Sequence, residues 1–250
     1  MVTSETPLAL SSDSLLGGSV RFRQPTAGYR VNIDSLILAE FARVGRSAGV
    51  AIDLGAGVGL VSLLLEHYRA ARELVLVERE PAIAAIAREN LANARAKVTV
   101  HEVDVSAPSL PELLGTRADL VVSNPPFFNR TEHRAPRDEQ RERARLGEVL
   151  PFLLATAELL AGPKARAAFV YPARSLTEFF DAARRARLVP KRLRFVHAFA
   201  DRPARLALVE LRRARPGGLV VQAPLVEWLA PQVPSPELAA LSLDSTSGRK

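Results

Sequence analysis

Cysteine is absent from this 250-residue chain. Disulfides, thiolate metal sites and cysteine nucleophiles are therefore excluded. The four histidines, His67, His101, His133 and His197, are scattered without the short spacings that metal ligation uses, so no metal is expected. Lysine is scarce: nearly all of the 34 basic residues are arginine. Long apolar runs are missing too, and the apolar stretches present are too short and too interrupted to span a bilayer. No basic segment followed by an apolar run stands near the N-terminus, so no signal peptide is expected and the compartment read from the sequence is the cytoplasm. There is no internal repeat.

What is present looks globular. Hydrophobic residues make up 48% and charged residues 24%, close to the average soluble domain. The length suits one generous α/β domain with a real core. Residues 1–18 and 230–250 differ in composition from the middle and are expected to be flexible ends, leaving 19–229 as the domain. The net charge is +7. Such an excess suits a polyanionic partner. A high-GC genome that favours arginine would produce the same excess, and composition alone does not separate the two.

Residues 20–31, VRFRQPTAGYRV, alternate around a Pro/Gly turn and predict a short hairpin. Asp34 can cap a helix over 35–44. A βα rhythm follows. GVAIDLG, ELVLVERE, KVTVHEVDV, ADLVVSNPPFF and KARAAFVYP read as strands. LVSLLLEHYR, PAIAAIARENLANAR, VLPFLLATAELLAG and SLTEFFDAARRARL read as helices. KRLRFVHAF and ARLALVELRR close the domain as an antiparallel pair. Continuous apolar strands alternating with helices predict a Rossmann-like α/β fold: a mainly parallel, seven-stranded sheet covered on both faces, with an antiparallel edge.

Two motifs carry chemistry. Residues 53–59 read DLGAGVG between the first strand of the rhythm and its helix. Gly55, Gly57 and Gly59 let the backbone turn tightly and approach a ligand. Glu78 closes the next strand, 19 residues after Gly59, where a carboxylate can accept the hydrogens of both ribose hydroxyls of an adenosine. Residues 123–128 read SNPPFF at the end of the fourth strand. The lone pair of an exocyclic amine is delocalised into its ring. Such an amine needs acceptors for its two hydrogens more than it needs a base. The Asn124 amide oxygen can accept one and the Pro125 carbonyl the other, while Phe127 offers a flat stacking face. Orientation of this kind can lower a barrier by several kcal/mol. In open α/β sheets, ligands lie beyond the carboxyl ends of the strands, so both motifs are expected to face one crevice.

DLGAGVG resembles the first motif of class I methyltransferases, and together with SNPPFF it resembles their amine-methylating members. QPTAGYRVNIDSLILAEFA, APRDEQRERAR (135–145) and the closing pattern 195–228 are similar to the bacterial tRNA1(Val) adenine N6-methyltransferase family, over roughly residues 20–229. The resemblance implies S-adenosylmethionine as methyl donor, S-adenosylhomocysteine as product, no metal, and an RNA substrate, most readily tRNA. By position it implies that Asp34, Asp53, Gly55, Ala56, Gly57, Glu78, Arg79, Asp104 and Asn124 hold the cofactor. Asn124, Pro125, Pro126 and Phe127 would be catalytic. Tyr29, Arg30, Phe127 and Phe128 would meet the substrate. Phe127 stands where many adenine enzymes have tyrosine. The same NPPF occurs in ribosomal RNA guanine N2-methyltransferases, which are longer and carry a second domain. Protein-glutamine N5-methyltransferases use a related loop but have a helical N-terminal domain that is not seen here. A non-catalytic RNA-binding module is the remaining alternative, and the intact motifs weigh against it.

The basic stretches have two readings each. Residues 130–145 hold six arginines and four acids. They read as a loop after the catalytic motif, contacting phosphate through Arg134, Arg137 and Arg141, or as a solvated loop with local ion pairs. Residues 184–194 hold six cations and no acid, and Arg192 and Arg194 are the expected RNA contacts there; the alternative is a helix end complementing its dipole. Trp228, the single tryptophan, reads as a packing residue at the end of the domain, with a base-stacking platform as the alternative. No obligate protein partner and no membrane association are expected.

Overall fold

The computed structural model describes residues 8–27, 33–43, 47–125 and 138–241, with the backbone alone for 138–148. The chain opens with an antiparallel hairpin, β1 (Leu10–Leu15) and β2 (Val20–Pro25), followed by α1 (Ile33–Ala42). Then come β3 (Ala48–Leu54), α2 (Leu60–His67), β4 (Ala71–Glu78), α3 (Pro81–Asn90), β5 (Lys97–Glu102), α4 (Leu110–Leu114) and β6 (Leu120–Ser123). α5 (Asp138–Leu159), β7 (Arg166–Pro172), α6 (Leu176–Arg185), β8 (Val189–His197) and β9 (Ala204–Arg212) complete the main body.

The seven principal strands lie in the order β8-β9-β7-β6-β3-β4-β5. β7, β6, β3, β4 and β5 are parallel, and β9 runs antiparallel between β7 and β8. Two short strands, β10 (Val220–Val221) and β11 (Leu225–Val226), pair with β8 and bring the sheet to nine. A small hairpin of β12 (Trp228–Ala230) and β13 (Val233–Pro234) precedes α7 (Pro236–Ala240).

The apolar runs explain the layers. Side chains alternate across a strand. Leu74 and Leu76 therefore join the core under α1, α2 and α3, while Val75 and Val77 join the core under α4, α5 and α6. The same alternation splits Leu120 and Val122 from Val121, and Ala168 and Val170 from Phe169. A sheet buried on both faces needs no polar side, which is why its strands read as continuous hydrophobic runs. No helix among the described residues is long and apolar enough to cross a membrane.

The local details depart from expectation in five places, one of them α4, a short helix where the sequence reading placed no element. The hairpin described is built by residues 10–25, with its turn at Leu16–Ser19; of the segment 20–31 expected to form it, 20–25 is the second strand and 28–31 lie outside the described residues. The Ser-rich segment before it alternates well enough to pair once β2 supplies a partner. α1 starts at Ile33, so Asp34 sits inside the first turn and does not cap it. The basic segment expected as a loop is, from Asp138 onward, the first part of α5. Its Glu, Gln and Arg residues are strong helix formers with opposite charges three and four apart, and helix propensity wins over charge density. At the far end, residues read as a flexible tail form β13 and α7, where Leu238 and Leu241 are buried.

Candidate active site

β3 and β6 are the neighbours at which strand order reverses, so a crevice opens between their carboxyl ends. They pair in register, Ile52 with Val121 and Asp53 with Val122. The Ser123 hydroxyl extends the pairing by donating to the Leu54 carbonyl at 2.7 Å. The glycine turn and Asn124 thus leave adjacent strands side by side.

The turn is fixed by backbone bonds. Gly55 and Ala56 N–H groups donate to the Val77 carbonyl at 2.9 and 3.0 Å, and Gly59 N–H donates to Ala56 at 2.9 Å. Gly57 has φ +56° and nothing within 4 Å of where a Cβ would stand. The turn is therefore open to solvent at the position where only glycine is unstrained. Gly55, at φ +69°, faces the Phe152 ring of α5 at 3.0 Å from that Cβ position, so glycine there lets α5 close on the turn.

Glu78, at the end of β4, accepts from Gly57 N–H at 2.9 Å through one oxygen and from Glu80 N–H at 2.9 Å through the other. Each carboxylate oxygen keeps a lone pair for a further donor. Beyond it, Arg79 and Asp104 approach each other at 3.6 Å across the ends of β4 and β5. The Ser106 hydroxyl and N–H both bond the Asp104 carboxylate, at 2.5 and 2.8 Å, and with Arg79 they hold its pKa below the ordinary value.

Asn124 donates through Nδ2 to the Ser35 hydroxyl at 3.2 Å. Its Oδ1 is buried and has no hydrogen-bond partner among the described residues. An unmet buried acceptor costs about 1–3 kcal/mol. This site thus holds an acceptor in reserve.

Other expected residues have different tasks. Asp53 is only 2% exposed and accepts from the Ser62 hydroxyl of α2 at 2.8 Å; burial pushes its pKa up to about 7. It clasps β3 to α2, and its carboxylate is not presented to the crevice. Asp34 is buried and pairs with Arg205 at 2.8 Å; Arg205 in turn bonds Glu227 through Nε at 2.7 Å and again through Nη2. Burial opposes the charge of Arg205, and the two carboxylates more than restore it.

The two expected RNA contacts on β8 are both engaged within the protein. Arg192 is largely buried, lies over the Phe41 ring at 3.8 Å, donates to the Phe41 carbonyl at 2.8 Å and pairs with Glu210 at 3.0 Å. Arg194 bonds both oxygens of Glu237, at 2.6 and 2.7 Å, and donates to the Ala223 carbonyl at 3.0 Å. Their positions in a one-signed sequence run said nothing of carboxylates arriving from β9 and α7. Pro125 lies at the end of β6 and is buried. Tyr29, Arg30, Pro126, Phe127, Phe128, Arg134 and Arg137, and the side chain of Arg141, lie outside the described residues. Sequence reasoning missed Ser35 and Ser62 as members of the site's frame, and read Arg205 as one cation of a positive rim around the crevice where it is clamped between Asp34 and Glu227. A serine two residues into a helix and another nine residues after an aspartate carry no signal until the helices are docked.

The residues fit an adenosine-bearing cofactor. Glu78 has acceptor capacity left for ribose hydroxyls, the open face at Gly57 admits a ligand against the backbone, and the Asn124 oxygen stands beside that turn.

Comparison with known proteins adds three findings. Residues 29–137 match the family model described as methyltransferase small domain. A tRNA1(Val) (adenine(37)-N6)-methyltransferase of Porphyromonas gingivalis is 33% identical over 199 residues, covering 76% of this chain and 77% of that protein. Among solved structures, one described as a predicted O-methyltransferase from Agrobacterium tumefaciens superposes with TM-score 0.67 at 20% identity, over 83% of this chain and 94% of that one. A SAM-dependent methyltransferase from the same organism gives TM-score 0.55 at 17% identity, over 84% and 72%. At those identities the structures speak for the fold.

Proposed function

The chain belongs to the family of the tRNA1(Val) (adenine(37)-N6)-methyltransferases and is an S-adenosylmethionine-dependent methyltransferase, and from that premise we propose that it methylates the exocyclic N6 amine of adenine 37 in a tRNA. A tRNA substrate puts this work in the cytoplasm. One observation carries the reading: the buried Asn124 Oδ1, without a partner among the described residues, at the end of the strand next to the one that ends in the glycine turn.

Bound S-adenosylmethionine supplies an electrophilic methyl group. The chain's residues supply position. Glu78 takes the ribose hydroxyls, and Gly57 leaves room for the cofactor against the backbone. Asn124 Oδ1 accepts one N6 hydrogen and the Pro125 carbonyl the other, which turns the nitrogen lone pair out of the ring plane and toward the donor. Phe127 stacks on the base. Burial removes competing water from the acceptor, and a fixed dipole in such a place lowers the barrier more than it would in solvent.

Unmodified tRNA transcripts incubated with a labelled methyl donor test this. The parent should yield N6-methyladenosine in nucleoside mass spectrometry. Asn124→Ala should lose at least about a hundredfold in kcat, the scale of removing one preorganised polar group, while binding S-adenosylmethionine within a few-fold of the parent. A fully active Asn124→Ala, or label found in guanine or in protein instead of adenine, overturns the reading.

A further inference from the structure

The first turn of α1 carries two polar residues, and both are buried: Asp34 and Ser35, each 6% exposed. Ser35 Oγ accepts from Asn124 Nδ2 at 3.2 Å, across 89 residues of sequence. We propose that Ser35 is a positioning residue for methyl transfer: it tethers the Asn124 amide through its nitrogen, and so holds the side chain where its oxygen can meet the base. This rests on the reading of Asn124 as the residue that holds the amine.

A primary amide is nearly symmetric in shape but not in chemistry. A half-turn about its last bond exchanges an acceptor for a donor. With Oδ1 outward, an amine hydrogen is held; with Nδ2 outward, the same amine is repelled. The amide also needs an anchor, and the neighbouring hydroxyl of Ser123 is already committed, donating to Leu54 at 2.7 Å. Ser35 is the group the amide's nitrogen reaches.

Ser35 can do this only if α1 is held in place, and it is held at both ends. At the first turn Asp34 is clamped by Arg205, and Arg205 by the buried Glu227. At the last turn Arg166 donates to the Ala42 carbonyl at 3.2 Å and Arg192 to Phe41 at 2.8 Å. Cations at a helix C-terminus match its dipole. α1 packs against β6, β7 and β9 between these clamps. The helix before the glycine turn is thus part of the catalytic frame.

The test uses the full chain with Ser35→Ala and Ser35→Thr. The Asn124 side-chain amide is identified in 15N–1H spectra by its loss in Asn124→Asp. In the parent and in Ser35→Thr, one Nδ2 proton should exchange slowly with solvent. In Ser35→Ala it should exchange at least about tenfold faster, because a bonded proton exchanges only when its bond opens. In the same variant kcat on unmodified tRNA should fall about tenfold, the scale of a misplaced catalytic group. KM for tRNA and the affinity for S-adenosylmethionine should stay within twofold. Ser35→Cys, of similar volume and weaker as an acceptor, reads the same quantities where Ser35→Ala does not fold. An active parent whose amide signal and kcat ignore Ser35 overturns this inference alone. An amide signal that responds to Ser35 in a parent that methylates no RNA upholds the placement and overturns the function.

Discussion

Asp53 carries a carboxyl whose pKa burial pushes up to about 7 in the folded protein, against an ordinary value near 3.8. Between those two pH values the folded state keeps a proton that the unfolded state has released. Stability therefore falls as pH rises from about 4 to about 7 and is level above. Asp53→Asn keeps an oxygen for the Ser62 hydroxyl and has no proton to lose. Relative to the parent it should gain stability across that window, on the order of 2 kcal/mol or roughly 5 °C in Tm. Thermal melts at pH 4.5 and 8 check this; a constant difference would show that Asp53 is not buried as a clasp. The aspartate was legible in DLGAGVG, but its task was not. A motif gives the residue's place at a strand end, and only the docked α2 decides that the carboxylate meets a serine.

At the scale of elements, the N-terminal hairpin is joined to the glycine turn through one side chain. Asn90, at the end of α3, accepts from Arg23 N–H at 2.7 Å, donates to the Arg23 carbonyl at 3.0 Å and donates to the Val58 carbonyl at 2.8 Å. Val58 sits between Gly57 and Gly59. Asn90→Ala leaves these backbone groups unmet at a cost of about 1–3 kcal/mol. It should lower Tm and also weaken S-adenosylmethionine binding several-fold, because the turn loses its brace. Glu89→Ala breaks only the exposed ion pair to Arg23 and should cost under about 1 kcal/mol with cofactor affinity unchanged. Calorimetric titration of both variants separates the effects; equal affinities would mean that the hairpin does not brace the site. The order of strands from β3 to β9 was legible because apolar runs and glycines mark it, but the five-residue helix α4 between β5 and β6 was not. The hairpin register was not, since a Ser-rich strand becomes one only by pairing. Nor was the first half of α5, where charge suggested a loop and propensity made a helix.

Across the whole molecule, a run of positive charge in the sequence is not by itself a run of unpaired cations. Arg192 and Arg194 belong to a one-signed run in sequence, yet each is bound to a carboxylate brought by another element. Phosphate contacts show as a slope of binding against salt, about one unit for each contact. Arg192→Gln should leave that slope for tRNA unchanged and lower Tm, by roughly 1–3 kcal/mol of stability, because Glu210 and the Phe41 carbonyl lose a partner. Fluorescence anisotropy over a salt series, with a melt in parallel, decides this; a shallower slope with an unaltered Tm would return Arg192 to the binding surface.

The sequence by itself determined the fold class and the two motifs that end adjacent strands of its sheet. Each of these follows from local pattern: apolar period, glycine where φ is positive, and an Asn-Pro-Pro turn after a strand. Only the tertiary structure decided which polar groups remain free for chemistry. Asp53, Asp34 and Arg192 are consumed by partners distant in the chain, while Asn124 bonds Ser35 through its nitrogen and has no partner for its oxygen among the described residues. Pairing of buried polar groups is a property of three-dimensional neighbours, and no one-dimensional spacing encodes it.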